Sequence, residues 1–198
     1  MRHAARGRPI HELLAGRPRY GKGFDPACLP RNGIYFFFES GELFESSDRI
    51  VRVGTHIGEG RLTKRLKLHY CGRARRSVFR RNVGNALVRA GLVEGVSSDA
   101  APLGSMQFEP ALETAISARF AETFTFSVVQ VDDVSDRLRL EAGLIASLSS
   151  DPLATPSELW LGYHSTVQAV RKAGLWNKLH VGGTPLSVVD FELLRHSI

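Results

Sequence analysis

The first dense apolar block of the chain is Ile34-Tyr35-Phe36-Phe37-Phe38, closed by Glu39 and preceded by Asn32-Gly33. Such a run of β-branched and aromatic residues predicts a strand. Alternation along it puts Tyr35 on the opposite sheet face from Ile34 and Phe36. Ile50-Val51-Arg52-Val53, closed by Gly54, predicts a second strand. Ser40-Gly41-Glu42 reads as turn chemistry, so the two runs are expected to pair antiparallel across a loop of about ten residues. From Arg61 the period changes: Leu62, Leu66 and His69 recur at helical spacing. Ser77 is a candidate N-cap for the next helix, with Phe79, Val83 and Leu87 on its inner face.

Residues 91–108 are rich in Gly, Ser and Ala and read as a loop, and residues 109–120 read as a helix through Leu112, Ile116 and Phe120. Residues 124–131 predict a third strand. Asp132-Asp133 opens a long helix to about residue 149, Pro152 and Pro156 break the chain, and a last helix over residues 165–173 stops at Gly174. Residues 10–14 account for one helical turn. Otherwise residues 1–30, rich in Arg, Gly and Pro, read as a basic arm or poorly ordered lead-in to one domain over 31–198. There is no internal repeat. The order β-β-α-α-α-β-α-α implies an α+β fold, a small three-stranded antiparallel sheet flanked by helices.

Composition narrows the class. A chain of 198 residues can bury a full core without staples, and its 43% hydrophobic and 23% charged content excludes disorder throughout. No stretch approaches the roughly 18 apolar residues a membrane span needs, and the basic N-terminus has no apolar h-region. Cys28 and Cys71 are too few for a disulfide framework, so a cytoplasmic setting is the expectation. The net charge of +6 matters less than its distribution: residues 61–90 hold ten basic residues and no acid. A charge run is usually a solvated face, but a block this long and one-signed reads as the footprint of a polyanion.

Some residues resist a packing explanation. Val134, Leu138, Ile145 and Leu148 keep one apolar stripe of the long helix, and the missing member is Glu141. A carboxylate there is costly unless paired, protonated or metal-bound. It reads either as a buried Glu satisfied by an Arg, or as a metal ligand or catalytic acid. Arg65 and His69, four apart, share a helix face at about 6 Å. Gly54-Thr55-His56-Ile57-Gly58-Glu59-Gly60 has glycines but no following Lys-Ser/Thr, which excludes a P-loop, and no metalloprotease, nucleophile-elbow, EF-hand or paired Cys-x-x-Cys pattern occurs.

Gly33-Ile34-Tyr35 on the first strand, Arg52-Val53-Gly54 at the end of the second, Arg65 and His69 on the first helix, Glu141 on the later helix and Asn177 near the end resemble the GIY-YIG nuclease superfamily. The resemblance spans roughly residues 32–178. The chain departs from it at Arg52, where the second tyrosine is expected. Residues 77–84 and Trp160-Leu161-Gly162 resemble a bacterial branch with an extended helical C-terminal half.

The resemblance implies a metal-dependent endonuclease acting on DNA, with RNA left open and the state, monomer or homodimer, undecided. Glu141 would bind Mg2+ or Mn2+, and Arg65 would clamp the phosphate. Tyr35 would orient or deprotonate water, with His69 taking the proton through Tyr35 or acting directly. Asn177 would position backbone or phosphate. Arg52 would either favour the phenolate of Tyr35 or bind phosphate. Lys64, Lys67, Arg73, Arg75, Arg76, Arg80 and Arg81 would hold the nucleic-acid backbone. The alternative is a catalytically inactive nucleic-acid-binding module on the same fold, with Arg52 marking lost chemistry.

Overall fold

The architecture is built around one central strand. The computed structural model describes residues 7–98 and 110–198. In it β1 (Ile34–Phe44) pairs antiparallel with β2 (Ser47–Gly54) on one side and with β3 (Phe124–Val129) on the other. Helices α1 (Gly7–Ala15), α2 (Leu62–Cys71), α3 (Val78–Arg89), α4 (Pro110–Thr123), α5 (Val134–Ser149), α6 (Gln168–Ala173) and α7 (Val188–His196) surround the sheet. This is the α+β class the patterning predicts.

Strand alternation divides the core in two. Ile34, Phe36 and Phe38 pack with residues of α1, α5 and α7. Tyr35 and Phe37 pack on the other face with residues of α2, α3 and α4, in a cluster dominated by Phe79, Phe120, Phe124 and Phe126. Ser77 caps α3 by accepting the Arg80 N–H, and Asp133 caps α5 in the same way, as the sequence signals predict.

The hairpin differs from its prediction. Its turn is the two-residue Glu45-Ser46, with Glu45 at a positive φ of 54°, not a ten-residue loop. Ser40-Gly41-Glu42 is irregular strand instead: Gly41 takes φ 87°, and the register slips between Phe38 and Leu43. That bulge carries two buried carboxylates. Glu39 accepts the indole N–H groups of Trp160 and Trp176 and the Arg119 guanidinium, and Glu42 accepts Arg49 and Ser157. Residues 157–176 are thereby pinned to the sheet, and Trp176 N–H bonds the β2 edge at Val51 O, 2.7 Å.

Other expectations change as well. Within the 1–30 segment α1 is packed and Tyr20 is tied to the sheet, while most of residues 22–28 are exposed. Ile10 and Leu14 of α1 are fully buried, and Tyr20 exchanges two backbone hydrogen bonds with Phe126 on the β3 edge. The C-terminal helix α7 has no counterpart in the sequence reading, because only Leu194 on it is buried and no apolar period announces it. The loop expected over 91–108 lies outside the described residues from 99 onward.

His11 in α1 is an unanticipated buried imidazole. It stacks on Phe44 with ring centroids 4.1 Å apart. Its Nε2 accepts the Ile50 N–H (3.1 Å), so the ring proton is on Nδ1, which donates to Gly7 O (2.8 Å). Burial pulls its pKa from 6.5 to about 4. The folded state therefore favours the neutral ring, and stability present above pH 6.5 is lost as pH falls toward 4. That loss should total about 3 kcal/mol. Urea unfolding across this range checks it. His11→Gln should start less stable near neutrality but lose about 3 kcal/mol less on acidification.

Candidate active site

The register of β1 against β2 sets Tyr35 opposite Gly54. The phenol ring lies directly on the glycine backbone: a Cβ at Gly54 would sit 2.3 Å from Tyr35 Oη and 2.4 Å from Cζ. The glycine that closes β2 is required by this close approach, since any side chain there would displace the tyrosine.

From that position Tyr35 Oη reaches two residues of α2, placed four apart on one helix face. His69 Nε2 is 3.0 Å away, and Arg65 Nε donates to Oη at 3.4 Å. Tyr35 and His69 are both closed to solvent. Arg65 is half-buried, and its two terminal nitrogens have no hydrogen-bond partner among the described residues. On the far side of the imidazole, Nδ1 lies 3.0 Å from Ser77 Oγ. Burial holds the His69 pKa well below its usual value, helped by the positive charges of Arg52, Arg65 and Arg80. His69 is neutral near pH 7.

Alternation brings Arg52, two residues before Gly54 and opposite Phe37, to the same side, and a β-bulge follows toward the start of β2. Phe37 pairs with Arg52 and Phe38 with Ile50, leaving Val51 as the extra residue. Arg52 donates from Nη1 to Trp176 O (2.9 Å) and lies 4.8 Å over the Phe79 ring. Burial lowers its pKa; among its neighbours Tyr35 and Glu141 favour its charge and Arg65 opposes it. It is thus a buried cation behind the Tyr35–Arg65 pair.

Glu141 approaches from α5. Its Oε1 accepts the Thr55 N–H at 3.2 Å, just past Gly54, and Oε2 has no hydrogen-bond partner among the described residues. Burial raises its pKa, while Arg52, His180, the Thr55 N–H and Arg65 oppose that shift. The predicted stripe holds at Ile145 and Leu148, which are buried, and fails in the first half of the helix: Val134 and Leu138 are 36% and 41% exposed, whereas Arg137, Leu140 and Leu144 are buried. Glu141 therefore lies half-buried at the rim of the core. The buried charge of this helix is Arg137, which donates to the carbonyls of Val131, Asp132, His56 and Ile57 and so fixes the loop after β2.

Asn177 does not reach the cluster. Its amide is spent on one residue, with Oδ1 accepting the Val53 N–H (3.0 Å) and Nδ2 donating to Val53 O (2.8 Å). It clamps the β2 edge one residue before Gly54 and is a positioning residue.

The basic block divides. Lys64, Lys67, Arg73, Arg75 and Arg76 are exposed, and Arg81 is half-buried. Arg80 is a correction to the expected nucleic-acid contacts, because its side chain is fully buried. It donates to His69 O and Tyr70 O at the C-terminal end of α2 and to Glu113 and Ser117 of α4. Helix-end carbonyls need such donors. Sequence reasoning also missed His180, which reaches Glu141 electrostatically, and the Ser77–His69 contact, although Ser77 itself was legible as a cap.

Among the described residues no group of three or more His, Cys, Asp or Glu side chains could hold a metal ion. A cation held through one carboxylate, with water and phosphate supplying the other ligands, suits Mg2+. Glu141, a hard oxygen donor with Oε2 open, fits that requirement. No described helix is long and apolar enough to cross a membrane.

A family model described as the GIY-YIG domain matches residues 12–194, extending past the 32–178 span on both sides and taking in most of α7. Comparison with curated proteins and comparison with solved structures each give no match.

Proposed function

Because the chain belongs to the GIY-YIG family, a family of nucleases, we propose that it is a metal-dependent endonuclease that hydrolyses phosphodiester bonds of DNA. The observation that carries this reading is the company Glu141 keeps. It is a half-buried carboxylate without an ion-pair contact of its own among the described residues, set near Arg52, Arg65 and the end of β2 that holds Tyr35. A folding role would have paired it, as Glu39 and Glu42 are paired.

Substrate meets the cluster first at Arg65 and Glu141, since Tyr35 and His69 lie beneath them. The open fork of Arg65 clamps non-bridging oxygens of the scissile phosphate and stabilises charge as it builds. Glu141 is the residue that holds Mg2+ or Mn2+, and such an ion supplies polarisation of the phosphate and stabilisation of the leaving oxygen. Tyr35, held by His69, orients the attacking water. Arg52 adds fixed positive potential from behind, and Asn177 keeps β2 in register. Lys64, Lys67, Arg73, Arg75, Arg76 and Arg81 carry the approaching backbone.

Supercoiled plasmid and a large phage genome, which offers many sequences, test the reading. Purified protein should nick or linearise them with Mg2+ or Mn2+ and leave them intact with chelator. Added salt should slow the reaction steeply, because phosphate contacts release counterions. DNA left intact under every cation, yet retarded on a gel by the protein, would make the chain a binding module.

A further inference from the structure

His69 has two ring nitrogens and two hydroxyl partners, Tyr35 Oη on Nε2 and Ser77 Oγ on Nδ1, each at 3.0 Å. A neutral imidazole carries one ring proton, so one of these contacts runs outward from the ring and the other inward. Ser77 decides the direction. Its Oγ already accepts the Arg80 N–H (3.2 Å) as the cap of α3. The residue is fully buried, and among the described residues its hydroxyl proton has one acceptor within reach, His69 Nδ1. A proton on Nδ1 would face Ser77 with two donors and strand its own O–H in the core, a situation native interiors avoid.

With Nδ1 accepting, the ring proton sits on Nε2 and points at Tyr35 Oη, which also takes the Arg65 Nε–H. The O–H then left without an internal acceptor is that of Tyr35, itself closed to solvent but beside the Arg52 guanidinium and beneath the half-buried Arg65, where substrate arrives. In the reverse arrangement it is that of Ser77, deep between α2 and α3. Unspent donors belong at sites of function, not in cores. We propose that Ser77 is a positioning residue that fixes His69 with its proton on Nε2, so that His69 donates to Tyr35 and Tyr35 directs its hydroxyl proton at the phosphate or water.

Tyr35 then acts as an orienting donor, and Nε2 is not free to accept its proton. The choice of Tyr35 as the unspent donor rests on the nuclease reading; the tautomer that tests it is read without any cleavage assay. The charged groups facing the ring are Arg52 from β2, Arg65 from α2 itself and Arg80 from α3, all cations that favour the neutral imidazole the argument needs.

Nitrogen-15 NMR of the histidine rings, with His69 assigned through His69→Gln, reads the tautomer directly. The parent protein near neutral pH should show a protonated Nε2. Ser77→Ala should shift His69 toward the other tautomer or a mixture, and Ser77→Thr should restore the parent spectrum. In the plasmid assay Ser77→Ala should lower kcat roughly 10–100-fold with KM little changed, while Ser77→Thr keeps it. A proton on Nδ1 in the parent, or an Nε2 tautomer unchanged in Ser77→Ala, overturns the proposal. The two readings fail separately: a protein that cuts DNA with Nδ1 protonated refutes the tautomer, and one that shows the Ser77-dependent Nε2 tautomer without cutting refutes the nuclease.

Discussion

Glu141→Gln should slow plasmid cleavage roughly a thousandfold, about 4 kcal/mol of lost transition-state stabilisation, while the protein stays as stable as its parent or becomes more so. The substitution preserves the side chain's shape and an acceptor for the Thr55 N–H. It removes the charge that holds a cation. The stability half follows from linkage. Burial raises the Glu141 pKa above the unfolded value of 4.5, so the folded state prefers the protonated acid. Whatever stability the group contributes is present below pH 4.5 and is lost as pH rises through the folded pKa. At neutral pH the ionised carboxylate is held at a cost, and a neutral amide is spared it. Function lost without stability lost is the signature of a group kept for chemistry. Thermal unfolding beside single-turnover cleavage checks both halves. A large fall in Tm would make Glu141 a structural residue, and cleavage equal to the parent's would remove it from the cation site.

The elements that carry the site were legible because they obey one period each. The β1 run, the α2 spacing of Leu62, Leu66 and His69, and the Ser77 cap each announce a single local geometry, and the motif residues sit on those elements. What escaped is set by non-local contacts. No local signal says that Ser40-Gly41-Glu42 bulges within a strand while Glu45-Ser46 turns it, since both stretches carry turn residues. The bulge at Val51, which puts Val51 on the Tyr35 face beside Arg52, depends on the pairing register. Glu141 was singled out from a stripe that the structure keeps only in part. A helix of mixed contacts has no fixed stripe, and Arg137, which packs inward by donating to four carbonyls, is indistinguishable in sequence from a surface arginine. Ser77 was read as a cap and is one, but its other partner lies on a different helix. The proton logic of the site was therefore invisible until α2 and α3 were seen together.

Arg80→Met should destabilise the fold by about 3–5 kcal/mol, the usual result of removing one partner from a buried ion pair and its hydrogen bonds. Methionine fills much of the same volume but offers no donor. The carbonyls of His69 and Tyr70 lose their partner at the end of α2, and Glu113 and Ser117 lose theirs on α4. Three helices come apart at one point, and His69 rides on the helix whose end is uncapped. Arg75→Ala and Arg76→Ala, on exposed positions seven residues or fewer from Arg80 and Arg81, should leave stability within about 0.5 kcal/mol. Each should instead lower the salt dependence of duplex binding by up to about 0.9 in log–log slope if its guanidinium contacts a phosphate. Urea unfolding and fluorescence anisotropy across a salt series separate the two behaviours. Arg80→Met with normal stability and weakened binding would place that side chain on the nucleic acid after all. An acid-free run of ten cations thus contains at least three kinds of residue. Arg65 touches Tyr35 and keeps its terminal nitrogens free among the described residues, Arg80 closes the C-terminal end of the helix that carries Arg65, and others such as Arg75 and Arg76 are exposed.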